Sequence, residues 1–331
     1  MIRSQRLSLM TFQWQYQTSL MPRQLFQNKK CYPGTALGNF FCFLILTILS
    51  LGCENGPPPR PSGVYIPPPD ETQSYILPEI DLRNWKVTLP IPRNDGKPLE
   101  VTPPEILNYA TNEILKPFMY NDSTDGSLVF YTYPGSSTAN SSYSRTELRE
   151  LMDGGDGKVN WTFGQGGFMR GTLSVPEIST DLDGDPHRTM IMQIHGRLTD
   201  QQRDLIGEDD NNAPPILKIY WQDDKVRVIT KKLKNINDSN EEALYTSAWT
   251  DDESRYFTRK VGTEKFTLQV IASDGKIEVS MDDDETFIFE TASLDRWGVF
   301  ENYFKAGNYL GTTDEGAFAK VKYYDLVATH D

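Results

Sequence analysis

The sequence predicts an all-β fold, a sandwich or jelly roll, over residues 76–331. Ten short runs of β-type composition recur between turn signals. Turn pairs such as Asp156-Gly157 and Asp274-Gly275 punctuate them. Helical stretches are few and there is no internal repeat, which indicates a sandwich or jelly roll, and the length suits one large β domain as well as two smaller ones.

In chain order the predicted strands are Trp85–Leu89, Leu128–Tyr133, Gly167–Val175, Thr189–His195, Ile216–Trp221, Val226–Thr230, Phe266–Ala272, Lys276–Met281, Thr286–Phe289 and Ala317–Tyr324. Helix is expected only around Pro103–Leu107 and Asp200–Leu205. Segments 196–215 and 231–255 are polar and acid-rich and read as loops.

The formal net charge is −13, while residues 1–52 hold five basic residues and no acid. The remainder is therefore more acidic still, which argues against a nucleic-acid partner. It does not exclude a polyanionic sugar, because salt screens a global field beyond roughly 10 Å and a local basic cleft still binds. The three cysteines are Cys31, Cys42 and Cys53. From residue 54 onward no thiol nucleophile, thiolate metal site or disulfide is available.

Phe40–Leu51 is an apolar run of 12 residues preceded by Lys29 and Lys30. It is too short to span a bilayer and has the layout of a signal peptide. Leu49-Ser50-Leu51-Gly52-Cys53 resembles a bacterial lipobox, with Gly52 in keeping and Ser50 departing from the usual aliphatic. The expectation is a lipoprotein-type signal peptide over residues 1–52, starting at Met1 or Met21, and lipidation of Cys53. The alternative is an ordinary secretory leader with an incidental cysteine. Residues 54–70 are dense in proline, so 53–75 reads as an extended spacer. The chain is expected to be exported as a cell-surface or outer-membrane lipoprotein, otherwise secreted. Its membrane contact would be only the lipid on Cys53, and a monomer is expected.

Three further runs are polar where a strand core would be apolar. In Ser144–Glu150, strand geometry puts Arg145, Glu147 and Arg149 on one face, where Glu147 can brace both guanidinium forks. Helical geometry instead gives a salt-bridged face, and local propensity favours it. In Gln193-Ile194-His195, Gln193 and His195 share a face opposite Ile194. A lone strand histidine is often a structural hydrogen-bonder, yet it is also the commonest general base. In Tyr303–Tyr309, residues Tyr303, Lys305, Gly307 and Tyr309 share a face, with Gly307 as a gap that admits something bulky. Aromatic packing across a sheet is the bland reading of those tyrosines. Together the runs supply carboxylate binders, a base candidate and an acid candidate.

Arg145-Thr146-Glu147-Leu148-Arg149, Gln193-Ile194-His195 and Tyr303-Phe304-Lys305-Ala306-Gly307-Asn308-Tyr309 resemble, in order, the three signature blocks of the polysaccharide lyase family 7 alginate lyases. Leu82–Pro90 resembles the first strand of those domains, and the likeness spans about residues 80–329. The resemblance implies a β-jelly roll of two curved antiparallel sheets with a concave substrate cleft, and it overrides the helical reading of the Arg145 block. It implies cleavage of alginate by β-elimination without a metal or organic cofactor. Arg145, Gln193 and His195 would surround the uronate carboxylate, with His195 as base for guluronate. Tyr309 would protonate the leaving oxygen, and for mannuronate would serve as both base and acid. Glu147, Arg149, Tyr303 and Lys305 would bind neighbouring sugars or orient the catalytic groups. Isoleucine at position 194 accompanies guluronate activity in the family. The loops at 176–188 and 196–215 are candidates to wall one end of the cleft.

Two rivals use other chemistry. Glu79-Ile80-Asp81-Leu82-Arg83-Asn84 faintly resembles the Glu-x-Asp-x-x-Glu pattern of laminarinase-type hydrolases, but Asn84 stands where the last carboxylate belongs. A non-catalytic polysaccharide-binding lipoprotein would use the same concave face without an acid or a base.

Overall fold

The computed structural model describes residues 78–330. The expected leader, Cys53 and the proline-rich spacer lie outside the described residues. So do residues 76 and 77 of the expected domain, and Asp331.

The described residues form eighteen strands: β1 (Glu79–Ile80), β2 (Trp85–Pro92), β3 (Pro98–Val101), β4 (Met119–Asp122), β5 (Ser127–Thr132), β6 (Arg145–Glu150), β7 (Trp161–Thr162), β8 (Gly167–Ile178), β9 (Thr189–Arg197), β10 (Asn212–Gln222), β11 (Lys225–Leu233), β12 (Trp249–Asp251), β13 (Arg255–Lys260), β14 (Phe266–Ser273), β15 (Lys276–Met281), β16 (Glu285–Glu290), β17 (Glu301–Leu310) and β18 (Ala319–Thr329). One sheet runs β16-β15-β14-β8-β18-β5-β4, with β1 beside β18. The other runs β12-β11-β10-β9-β17-β6-β2-β3, with β13 beside β11 and β7 beside β17. Pairing is antiparallel throughout except β1 with β18. Two antiparallel sheets packed face to face are the predicted jelly roll.

All ten predicted strands are present, most extended by one to four residues. The Arg145 block is strand β6, not helix. It lies between β17 and β2 with all six residues buried, and ladder bonds on both sides outweigh a weak helical propensity. The two helical expectations hold as a single 3₁₀ turn, Glu105–Asn108, and as α1 (Asp200–Ile206). A capping box between Thr199 and Gln202 starts α1, and Gly207 ends it at φ 72°. Segments 196–215 and 231–255 are therefore not plain loops. The first holds α1 and the start of β10; the second holds the end of β11, two short 3₁₀ turns and β12.

The core fills the space between the sheets. From one side come Val87, Leu89, Leu148, Ile194, Phe304 and Ala306; from the other come Leu128, Phe130, Met169, Leu173 and Tyr323. Alternation along β17 sends Phe304, Ala306 and Asn308 inward, so Tyr303, Lys305 and Tyr309 must face out. Asn308 is fully buried and earns its place by hydrogen bonds. Its Nδ2 donates to the Phe130 and Ala319 carbonyls at 3.0 and 2.8 Å, and its Oδ1 accepts from Thr189 at 2.7 Å. That side chain ties the two sheets together directly beneath the tyrosine row.

Against β9, β17 slips register between Ala306 and Tyr309. Gly307 sits at this irregularity with φ 139°. A Cβ there would lie 2.7 Å from the Thr146 carbonyl oxygen and 2.9 Å from the Glu147 Cα. The glycine thus exists because β6 presses on the backbone, not to leave a gap for substrate. Gly307→Ala is expected to cost about 2–4 kcal/mol, since neither the φ nor the contact tolerates a methyl group. Urea unfolding of the domain measures this, and a change below about 0.5 kcal/mol would contradict the argument.

Candidate active site

Register brings the three polar runs together. On β17, Tyr303 pairs with His195, Lys305 with both Gln193 and Arg149, Gly307 with Glu147, and Tyr309 with Arg145. Since β17 lies between β6 and β9, all the sequence-predicted side chains fall on one face of three adjacent strands. On that face of β9, Met190 also lines the cleft, while Ile191 and Met192 both turn into the core at a bulge. Ile194 is fully buried on the core side.

Glu147 is the centre of this array. It is 1% exposed. Its carboxylate accepts from Lys305 Nζ at 2.6 Å, from Arg145 at 3.3 Å and from the Gln193 amide nitrogen. Arg149, expected to share it, goes elsewhere. Its guanidinium donates to the carbonyls of Glu150 and Gly157 and to Asn160, and its planar face lies 4.2 Å from the Tyr303 ring centroid. Arg149 is buried behind Tyr303 and is not among the cleft-lining residues. Glu147 and Arg149 therefore hold the site's other groups in place.

His195 stacks on Tyr303, with centroids 5.2 Å apart and planes within 12°. Its Nδ1 lies 2.9 Å from the Gly196 carbonyl oxygen, which can only accept. Nδ1 therefore carries the hydrogen, and Nε2 is left with a free lone pair. Burial, then the nearby Lys305 ammonium, push the imidazole down to about 3. The ring is neutral across the working pH range. Burial likewise pushes Lys305 down to about 8, against the pull of Glu147, and pushes the Tyr303 phenol up to about 12.

The Tyr309 ring lies under Arg145, 3.8 Å from the guanidinium carbon, and meets the edge of Tyr143 at 6.4 Å. Its hydroxyl shares a short hydrogen bond with Ser141. Ser141 and Tyr143 escaped sequence reasoning, because Pro134–Ser144 carries no periodicity.

These residues line a cleft of about 820 Å³, toward the upper end for small-ligand sites. Arg145, Gln193, His195 and Tyr309 form one part of its floor; Lys218, Tyr220 and Lys231 continue it across β10 and β11. The polar positions of Leu217–Trp221 alternate with apolar ones, and that pattern was a readable signal for Lys218 and Tyr220. Glu208, Asp209 and Asp210 stand at the wall, as expected for segment 196–215, and Asn140 reaches Asp210 at 3.5 Å. Of segment 176–188, Arg188 lines the cleft. Among the described residues no three His, Cys, Asp or Glu side chains converge as a metal site. The hydrolase-like pattern is remote from the cleft. Glu79 lies on β1 in the opposite sheet, and Asp81 is an exposed cap paired with Arg83.

A family model described as alginate lyase matches residues 80–330. Among solved structures, a variant of the family 7 alginate lyase A1-II′ in complex with product superposes with a TM-score of 0.61 at 27% identity, covering 76% of this chain and 97% of that one. A substrate complex of the same enzyme gives 0.58 at 26% identity, covering 76% and 94%. An alginate lyase from Pseudomonas aeruginosa shares the fold at 20% identity, with a TM-score of 0.56 and coverage of 76% and 100%. No curated protein matches.

Glu147→Ala is expected to cost about 3–5 kcal/mol, because it strands the buried Lys305 and Arg145 charges side by side. Adding Lys305→Met should recover part of the loss. Urea denaturation of both variants checks this, and additive effects would refute the coupling.

Proposed function

This chain belongs to the alginate lyase family, and we propose that it breaks the 4-O-glycosidic bond of alginate by β-elimination, preferring guluronate-containing blocks. The observation that supports this best is a guanidinium, a carboxamide, a neutral imidazole and a phenol converging on one cleft floor.

The C5 proton of a uronate is a very weak acid while its carboxylate is ionised. Donors aimed at the carboxylate let charge flow into it as the proton leaves. Arg145 supplies such donors. Gln193 spends one amide hydrogen on Glu147 and keeps the other for substrate. His195 Nε2 takes the C5 proton, the C5–H electrons form the C4=C5 double bond, and the C4–O4 bond breaks. Tyr309 gives its proton to O4, and solvent exchange returns the proton from His195 to Tyr309. The substrate carboxylate also brings a negative charge beside His195, raising its basicity when it is needed. Ile194 acts on block preference only through the placement of Gln193 and His195, since it faces the core. Tyr303 stacks on the base and Lys305 pairs with Glu147 beside it; neither is among the cleft-lining residues, so both support the site from behind the floor.

Tyr309→Phe and His195→Ala are each expected to lower turnover of guluronate blocks by at least about 10³-fold with folding intact, as loss of a proton-transfer group predicts. Ultraviolet absorbance of the unsaturated product follows this, and faster cleavage of mannuronate blocks by the wild type would overturn the block preference. A near-native rate in either variant would refute the residue roles.

The pH profile follows from the same groups. In the free enzyme His195 stays neutral down to about pH 3, so kcat/KM should show no ionisation near the ordinary histidine value of 6.5. On the alkaline side Lys305 loses its charge as pH passes about 8, and kcat/KM should fall there. A half-maximal point near pH 6.5 on the acid limb would mean that His195 titrates as if solvated.

A further inference from the structure

One cation of the cleft stands apart from the others. Arg145 and Lys305 share Glu147. Lys218 and Lys231 share Asp251, at 2.7 and 2.8 Å. Arg188 lines the same cleft, yet its guanidinium has no hydrogen bond and no ion pair among the described residues. The side chain is nonetheless held. A Cβ on Gly311 would lie 2.8 Å from Arg188 Cγ and 3.0 Å from Nε, so only glycine lets the arginine lie flat there. The Gly311 N–H also donates to the Arg188 carbonyl at 2.9 Å. The guanidinium carbon also sits 5.6 Å from the Tyr220 ring centroid. A fork placed this way, with its donors open to the cleft, is pre-organised for a planar anion.

Its position shows which anion it can serve. Arg188 lies five residues from Gln193 along β9 and its lead-in, roughly 15 Å at strand rise. A carboxylate held between Gln193 and His195 lies that far along the strand, while Arg188 stands two residues beyond Met190, the position level with Tyr309 and Arg145, and so at the end of the site where the next uronate would lie. We propose that Arg188, set beside Gly311 and Tyr220, binds the carboxylate of a second uronate, farther along the cleft than the one undergoing elimination. This rests on the alginate lyase reading and adds a subsite to it. The binding is bidentate and charge-assisted. It is realised equally before and during bond breaking, so it acts on KM rather than kcat.

The test compares wild type, Arg188→Ala and Arg188→Lys on polymeric alginate and on guluronate oligomers of increasing length. Arg188→Ala should raise KM about tenfold on the polymer with kcat changed less than twofold, and the loss should shrink below twofold on the shortest oligomer cleaved. Arg188→Lys should recover part of the affinity. An equal loss at every length would indicate a structural role and overturn the subsite; so would no loss on the polymer. Calorimetric binding of a long guluronate oligomer in a Tyr309→Phe background makes the same comparison without turnover. About tenfold weaker binding with Arg188→Ala supports the subsite, and unchanged binding overturns it. A wild type that releases no unsaturated product would sink the lyase reading while leaving this binding result to decide the subsite.

Discussion

The cleft floor depends on one buried carboxylate. Removing a carboxylate from water costs several kcal/mol unless partners replace the lost hydration. Glu147 finds three, on three strands: Arg145 on its own β6, Gln193 on β9 and Lys305 on β17. The same contacts fix where those donors point. Arg145 cannot swing away without leaving an uncompensated charge, and neither can Lys305. A hydrophobic residue at position 147 could pack as well, but it would leave two cations adjacent and unheld. The strand-crossing ion network is thus a positioning device, and the register of β17 between β6 and β9 is what makes it possible.

That register depends in turn on packing below the sheet. Phe304 and Ala306 anchor the inward face of β17, and Asn308 bonds across to β5 and β18. The irregularity at Gly307 adjusts β17 against β9 while its pairing with β6 stays regular, so Tyr309 remains over Arg145. Polar residues buried at such points mark where the two sheets are locked in relative position, which nonspecific apolar packing alone does not do.

Much of this was legible in the sequence, and the gaps have physical causes. Strand period-two alternation is a strong signal, so the strands and the shared face of Tyr303, Lys305 and Tyr309 could be read directly. Arg145–Glu150 was ambiguous because Arg, Glu and Leu favour helix, and only pairing on both sides decides for strand. Glu147 keeps Arg145, one of the two arginines expected to share it, and loses Arg149 for a related reason. Strand spacing makes Arg145 and Arg149 symmetric about it, and the asymmetry comes from Gly157 and Asn160, which lie beyond the strand and draw Arg149 away. Ser141, Arg188 and the strands β1, β3, β4, β7, β12 and β13 are not legible locally, because these segments are short or polar and lack a clear period-two alternation.

The cations that make the floor a carboxylate site also oppose the base beside them. Burial and the fields of Lys305, Arg145 and Arg149 all disfavour a protonated imidazole at position 195. This keeps the ring unprotonated, as the proposed role of base requires, but it also makes the ring a feeble one. A uronate carboxylate docked against Arg145 and Gln193 relieves the conflict, because its charge offsets theirs at a few ångströms from His195. In the proposed elimination, His195 would gain basicity only in the presence of the group whose neighbouring proton it removes. A neutral sugar in the same cleft would gain neither the sink for charge nor the stronger base. Under the proposed mechanism, discrimination for uronates would arise in the proton-transfer step as well as in binding.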